Sequence, residues 1–302
     1  MTHTPQLDQT PRPALHGPGG AAATTPAAAP GFLWLEITGK CQLACEHCYA
    51  GSSPAGTHGT MTPADWRDAI TAAASAETSM VQFIGGEPTL HPDLPSLASH
   101  ALACGLNVEV YSNLVHVPDR LWEVFTQPGV SLATSWYTDD PAQHRQITGR
   151  NTWARTWASI TEAHARGIPL RAGIIAGIIP GQRHTQAAAM LAALGIAHGT
   201  DHNRPLGRGT LPDPAALCGA CGDGIACVGP DGEVHPCPMS RWVSAGNIRG
   251  GLPLPATVAE AATAAGLPRR SPSACAPNIC LPNCTPSTHN CKPHKVQGHA
   301  HG

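Results

Sequence analysis

The chain has 302 residues, 42% of them apolar and only 13% charged, with a formal net charge of -2. This length allows one large domain or two modest ones, and the apolar fraction is sufficient for a buried core. The charge offers no basic surface for nucleic acid, and no apolar run approaches the roughly 18 residues of a membrane span.

Residues 1–30 are rich in Pro, Ala, Gly and Thr and are predicted to form a disordered tail. They carry no charged segment followed by an apolar one, so no signal peptide is expected. Twelve cysteines in such a chain favour metal or cluster ligation in the reducing cytoplasm over disulfides. At the other end, residues 293–302 contain several histidines and are predicted to be a flexible tail.

Three closely spaced cysteines follow the first apolar run. Residues 32–37 predict a buried strand, and Cys41, Cys45 and Cys48 follow it in the spacing C-x3-C-x2-C. A cubane iron–sulfur cluster usually takes four Cys thiolates, so three leave one iron open for chemistry. Zinc is the alternative, but it prefers paired C-x2-C motifs closed by a fourth ligand.

A second motif ends the next predicted strand, residues 81–84, which runs directly into Gly85-Gly86-Glu87-Pro88. Glycines allow a ligand to approach the backbone closely, and Glu87 can accept hydrogen bonds from an ammonium group. By itself this tetrapeptide would read as an ordinary turn. Its position after the cysteine loop favours a ligand site.

These two motifs, in this order and at this separation, resemble those of the radical S-adenosylmethionine (SAM) enzymes, over about residues 32–207. The resemblance implies that the open iron of a [4Fe-4S] cluster chelates SAM and that the glycine-glycine-glutamate turn binds its amino group. It also implies reductive cleavage of SAM to a 5′-deoxyadenosyl radical, which abstracts hydrogen from the substrate. One departure is His47, at a position that is usually aromatic, with Tyr49 just after the third cysteine.

Strand and helix signals alternate six times between residues 32 and 200, with further strands predicted at 108–111, 131–136, 170–175 and 196–200. One helix start is marked by Thr62, followed by Pro63 and Asp65. Alternation of this kind predicts a parallel sheet with right-handed crossovers. The expected fold class is α/β, a partial (β/α)6 TIM-like barrel over residues 31–210.

Further cofactor contacts are implied by the resemblance. Ser112 and Asn113, after the third strand, are expected near the methionine moiety, and Ser135, ending the fourth, near the ribose hydroxyls. A Thr-Gly pair stands where the family often has Arg-Gly, so Arg145 or Arg150 is the candidate to neutralise the SAM carboxylate. The alternative is that these are solvated loop residues.

Residues 211–292 are short, loop-rich sequence that cannot build much core without help, and metal binding would supply folding energy. This segment contains eight cysteines: Cys218, Cys221, Cys227, Cys237, Cys275, Cys280, Cys284 and Cys291. Within it, residues 229–237 predict a hairpin turn leading into a ligand cysteine.

The segment resembles the SPASM extension, which implies one or two auxiliary [4Fe-4S] clusters. The spacings depart from the commonest pattern, and Cys227 stands where an aliphatic residue is frequent. The assignment of cysteines to clusters therefore stays open, and two zinc knuckles are the alternative.

Three functions compete. The leading one is a maturase that modifies a ribosomally made precursor peptide; the second is a radical dehydrogenase or epimerase of a sugar or aminocyclitol. The third is an iron–sulfur electron-transfer or scaffold protein, which the two intact motifs argue against. Expected partners are the substrate and an electron donor such as ferredoxin or flavodoxin. Only a short tail precedes the first strand, which weighs against the peptide maturase unless a separate protein binds the leader peptide.

Overall fold

A computed structural model describes residues 31–251 and 255–269 of the chain. The two predicted tails lie outside these residues. So do four of the predicted ligand cysteines: Cys275, Cys280, Cys284 and Cys291.

Eight strands form one sheet in the described residues, in the order β6-β5-β4-β3-β2-β1-β7-β8. They are β1 (Phe32–Glu36), β2 (Met80–Ile84), β3 (Asn107–Tyr111), β4 (Val130–Ser135), β5 (Leu170–Ala176), β6 (Ala197–His202), β7 (Ile225–Val228) and β8 (Val234–His235). All neighbouring pairs are parallel except β7 and β8. The six predicted β/α units and the open, partial barrel are confirmed.

Helices connect the parallel strands. They are α1 (Pro63–Ser75), α2 (Leu94–Ala103), α3 (Asp119–Phe125), α4 (Pro141–Thr148), α5 (Trp153–Ala165) and α6 (His184–Ala193), with α7 (Pro255–Ala264) near the end of the described chain. The predicted start of α1 is confirmed, because the Thr62 side chain accepts from the Asp65 N–H at 3.2 Å and Asp65 accepts from the Thr62 N–H at 2.8 Å. None of the described helices is long and apolar enough to cross a membrane.

The two faces of the sheet differ. Leu33 and Leu35 of β1 pack with the helices in the main core, whereas Phe32 and Trp34 belong to a second cluster on the opposite face, which we call the inner face. Side chains of a strand alternate between faces, so the four apolar residues that begin β1 serve both clusters. Buried polar residues also lie on this face: Glu36 at the end of β1, Gln82 of β2 and Glu109 of β3.

The second cysteine-rich segment adds strands to the barrel sheet. β7 pairs in parallel with β1, placing Cys227 opposite Trp34, and β8 then turns back against β7. The predicted hairpin turn is thus present, but the pairing with β1 was not foreseen. An apolar strand at the edge of six β/α units has unpaired backbone groups, and β7 satisfies them. The sheet therefore continues past the predicted domain boundary near residue 210.

Candidate active site

A cavity of about 240 Å³ opens on the inner face of the sheet. It is lined by residues of the cysteine loop, the strand ends and the second cysteine-rich segment. Eleven of the predicted site residues line it: Cys41, Cys45, Cys48, Gly85, Gly86, Ser112, Asn113, Ser135, Cys218, Cys221 and Cys237. The fold thus gathers both sequence motifs and three of the later cysteines around one space.

The cysteine loop is held from two sides. The Ala44 N–H donates to the Thr148 carbonyl at 3.1 Å. From the chain after β6, the Arg208 side chain donates to the carbonyls of Cys45 at 3.2 Å and Ser52 at 2.5 Å. These bonds satisfy carbonyl groups of an irregular loop and fix the directions of its thiols. No sequence signal had singled out Arg208, because its partners are backbone atoms more than 150 positions away.

The turn after β2 requires its two glycines because its backbone lies against the backbone that leads into the cysteine loop. A Cβ on Gly86 would lie 2.3 Å from the Lys40 carbonyl oxygen and 3.0 Å from the Cys41 Cβ. A Cβ on Gly85, whose φ is +154°, would lie 2.3 Å from the Thr38 carbonyl oxygen. The glycines were predicted to admit a ligand; in the fold they also press the turn against the cysteine loop.

Glu87 is fully buried and does not line the cavity. Its Oε1 accepts from the Thr89 N–H at 3.0 Å, the Thr89 hydroxyl at 2.7 Å and the Ser112 hydroxyl at 2.7 Å, and its Oε2 accepts from the Asn113 N–H at 2.7 Å. Burial raises the pKa of Glu87, and these hydrogen bonds oppose that rise. The carboxylate therefore joins the ends of β2 and β3, and its contact with a ligand stays a prediction. Pro88, also buried, starts the short 3-10 turn that follows.

Two predicted contacts at neighbouring strand ends do face the cavity. The Asn113 Nδ2 donates to the Gln42 Oε1 at 3.2 Å and lies 3.7 Å from the Cys41 Sγ. Ser135 lies 3.1 Å, Oγ to Oη, from Tyr111. Asn113 thus touches the cysteine loop directly, and Ser135 sits one strand further along the wall.

The predicted arginines do not reach the cavity. Arg145 and Arg150 are exposed and absent from its lining. The buried positions of α4 include His144 and Ile147, so Arg145 projects toward solvent. The arginines that do line the cavity are Arg171 and Arg204. The role of Arg145 or Arg150 at the SAM carboxylate stays a prediction, and the fold places neither residue in the cavity wall.

His47 takes the position that is usually aromatic. Its Nε2 lies 3.3 Å from the Tyr137 Oη, and the two rings meet edge to face at 5.1 Å. Burial lowers the pKa of His47 to about 4. The residue therefore presents a neutral ring to the cavity, as an aromatic side chain would.

The three thiols of the cysteine loop need a cationic partner. Burial raises the pKa of Cys41 to about 12, and burial together with the neighbouring cysteines raises that of Cys45 to about 12. Buried thiolates need positive charge nearby, which bound iron supplies. Three thiols of one loop line the same cavity, a donor set that fits an iron–sulfur cluster.

The later cysteines fall into two environments. The Cys221 and Cys237 sulfurs are buried and 2.9 Å apart, and with Cys218 they line the cavity. Cys227 lies within β7, packed in the apolar cluster of the inner face. The auxiliary clusters stay a prediction, since the other four cysteines lie outside the described residues.

Residues 35–192 match the sequence model of the Radical SAM superfamily. The chain belongs to the radical SAM superfamily. A PqqA peptide cyclase of Xanthomonas campestris is 33% identical over 138 residues, which cover 45% of this chain and 37% of that protein. This radical SAM enzyme therefore matches well under half the length of that relative.

Solved structures share the fold of this radical SAM enzyme. Streptococcus suis SuiB bound to its precursor peptide SuiA aligns with a TM-score of 0.63 over 76% of this chain and 64% of that one, at 13% identity. The structure of anSMEcpe with bound AdoMet aligns with a TM-score of 0.57 over 75% and 79%, also at 13% identity. At such identities the likeness shows the architecture alone.

Proposed function

We propose that this radical SAM enzyme modifies a ribosomally made precursor peptide. The match to PqqA peptide cyclases carries the proposal, because it is a sequence relationship that covers 45% of this chain. SuiB, which shares the fold, was solved with a precursor peptide bound. The cavity also runs from the cysteine loop to the second cysteine-rich segment, so both would face a substrate bound there.

Different residues of the chain would bind the cluster and SAM. Cys41, Cys45 and Cys48 would hold the cluster, while the Gly85-Gly86 backbone and the ends of β3 and β4 would hold SAM. When bound, these two groups supply a 5′-deoxyadenosyl radical for hydrogen abstraction. The inner-face apolar residues would exclude water and hold the target carbon in place, since such a radical is not selective by itself.

The second segment would serve the end of the reaction. Cys218, Cys221, Cys227 and Cys237 would hold one or two auxiliary clusters together with the cysteines beyond the described residues. These clusters would accept the electron released when the substrate radical collapses. A cytoplasmic ferredoxin or flavodoxin would supply the first electron, and a separate protein would bind the leader of the precursor.

The chemistry is tested on anaerobically reconstituted protein. Iron and sulfide content and Mössbauer spectra are compared between wild type and the Cys41→Ala/Cys45→Ala/Cys48→Ala variant. We expect the variant to lose about four irons per chain: about twelve should fall to about eight with two auxiliary cubanes, and about eight to about four with one. Only wild type should form 5′-deoxyadenosine with dithionite and SAM. Zinc in place of iron would contradict this assignment.

The substrate class is tested with peptides encoded by short reading frames beside the gene. Each is incubated with wild type, SAM and reductant, and its mass is compared with that from the triple-cysteine variant. A mass change confined to wild type supports a peptide maturase. If no peptide changes while a sugar or aminocyclitol is oxidised or epimerised, the peptide assignment is wrong and the small-molecule alternative holds.

A further inference from the structure

A buried ion pair lies on the inner face of the sheet, beneath the cavity. Arg171, near the start of β5, donates from Nε to Glu109 Oε2 at 2.8 Å and from Nη2 to Oε1 at 2.7 Å. Glu109 of β3 also accepts from the Gln82 amide of β2. Only 5% of the Glu109 side chain is exposed, against 24% of Arg171. Polar bonds thus link side chains of β2, β3 and β5 across the inner face, where apolar contacts would normally lie.

The guanidinium keeps a donor for the cavity. Arg171 lines the cavity, and both hydrogen-bonding nitrogens that contact Glu109 are on one edge of the group. No described residue forms a hydrogen bond with Arg171 Nη1. This nitrogen is not among the buried side-chain atoms that lack a partner, so it is accessible from the cavity. A guanidinium has five N–H donors in one plane, so the edge that points away from Glu109 can still donate to an oxygen.

Two hydroxyls extend this donor set. The Arg171 guanidinium lies over the Tyr111 ring, 5.8 Å from its centre, and Tyr111 Oη lies 3.1 Å from Ser135 Oγ. Gly173 makes room for the phenol, because a Cβ there would lie 3.0 Å from Tyr111 Oη. All three polar side chains line the cavity.

Stability does not account for this arrangement. A buried ion pair gains little over well-packed apolar residues of similar volume, since desolvation offsets the attraction. Tyr111 and Arg171 also sit deeper than the cofactor contacts expected at strand ends. Ser135 pairs with Gly173, and Arg171 precedes Gly173 by two residues, which places it about 7 Å further down the strand.

We propose that Arg171, oriented by Glu109 and flanked by Tyr111, binds an oxygen acceptor on the substrate, either a carboxylate or an amide carbonyl. The inference deepens the proposed function: on a peptide, this group would be the side chain of Asp, Glu, Asn or Gln. Anchoring it at the cavity floor would hold the adjacent carbon atoms at the level of Ser135. The site would thereby select which residue of the peptide is modified.

The test measures binding to reconstituted, SAM-saturated protein by anaerobic calorimetry. The probes are N-acetyl methylamides of Asp, Glu, Asn, Gln and Leu, which differ only in the side chain. Wild type should bind the oxygen-bearing probes at least about tenfold more tightly than the Leu probe, as a charge-assisted hydrogen bond predicts. The ratio of the acid probes to the amide probes identifies which acceptor the site takes.

Variants assign the preference to these residues. Arg171→Met/Glu109→Gln removes both charges together, so no buried charge is left alone, and it should abolish the preference at wild-type iron content. Tyr111→Phe should weaken the binding of the probes with a side-chain oxygen by about two- to tenfold. This single variant tests the proposal if the double variant fails to fold. The matched control is Arg183→Met/Asp139→Asn, which removes a similar bidentate pair outside the cavity and should keep the preference.

Three results would overturn the proposal: no measurable binding of oxygen-bearing probes to wild type, equal affinity for the Leu probe, or a preference that survives in the folded double variant. The outcome is separable from that of the proposed function. If the probes show the preference but no peptide is modified by wild type, the acceptor site stands and the peptide assignment fails.

Discussion

Glu87 Oε2 accepts a hydrogen bond from the Asn113 N–H at 2.7 Å, across 26 positions of the chain. The bond ties the turn after β2 to the loop after β3. Asn113 in turn contacts the cysteine loop, where its Nδ2 lies 3.7 Å from the Cys41 Sγ. Both halves of the predicted cofactor site are therefore held in register by a carboxylate that does not itself line the cavity.

Replacing Glu87 should test this supporting role. Glu87→Gln puts an amide donor where one of the two oxygens now accepts, and the Asn113 N–H or the Thr89 N–H loses a partner. We expect SAM affinity, measured by equilibrium dialysis, to fall about tenfold, in line with one lost hydrogen bond to a charged group. Iron content should stay close to wild type. Glu46→Gln, an exposed position of the cysteine loop, is the control and should bind SAM normally.

Gly86 should not tolerate a side chain. In Gly86→Ala the new Cβ would collide with the Lys40 carbonyl oxygen at 2.3 Å, a backbone atom that cannot move without shifting the cysteine loop. We expect 5′-deoxyadenosine formation to fall at least tenfold, an effect of about 1.4 kcal/mol or more on the barrier. Gly250→Ala is matched to it, because nothing lies within 4 Å of the added Cβ. Equal activity of the two variants would contradict the packing argument.

Arg241 joins the second cysteine-rich segment to the barrel. Its guanidinium pairs with Glu36 at the end of β1 and lies over the Tyr49 ring, 5.6 Å from the centre. Because only 2% of the Glu36 side chain is exposed, Arg241→Met would leave a buried charge unpaired. We expect the free energy of unfolding to fall by about 3 to 5 kcal/mol.

The double variant Arg241→Met/Glu36→Gln separates the lost charge pair from lost packing. Removing both charges should recover most of the stability, measured by anaerobic urea denaturation. If the double variant is no more stable than Arg241→Met, the contact with Tyr49 rather than the ion pair holds the segment in place.

His144 should make the protein less stable in mild acid. Burial lowers the pKa of His144 to about 4 from its ordinary value of 6.5. His144 therefore binds a proton below about pH 6.5 in the unfolded chain but only below about pH 4 in the folded protein. Stability attributable to His144 is complete above that window and is lost as the pH falls through it. From about pH 7.5 to about pH 5 the loss should be about 2 kcal/mol.

The measurement compares wild type with His144→Gln. Glutamine can keep the hydrogen bond that His144 Nε2 shares with Thr152 Oγ1 at 2.9 Å, but it does not titrate. The free energy of unfolding should therefore fall less in the variant than in wild type over the same pH range. Parallel losses in the two proteins would show that His144 is protonated in the folded state.

Local patterns were enough to predict the barrel strands and the main motifs. The six strands appear within one or two residues of the predicted bounds, because apolar runs between turn residues carry a short-range signal. The start of α1 could also be predicted from the sequence, since a capping box involves residues only three apart. The position of Arg145 could not be predicted in this way, because which side of α4 faces the cavity depends on how that helix packs.

The sequence by itself determined the α/β alternation, the radical SAM motifs and the cysteines that belong to them, because each is written in residues close together in the chain. Only the tertiary structure decided that β7 completes the edge of β1 and that Arg208 holds the cysteine loop. It also decided that Arg171 rather than Arg145 faces the cavity and that Glu87 points away from it. These relationships join residues that are distant in sequence, and they depend on strand pairing, burial and hydrogen-bond geometry, which no local pattern encodes.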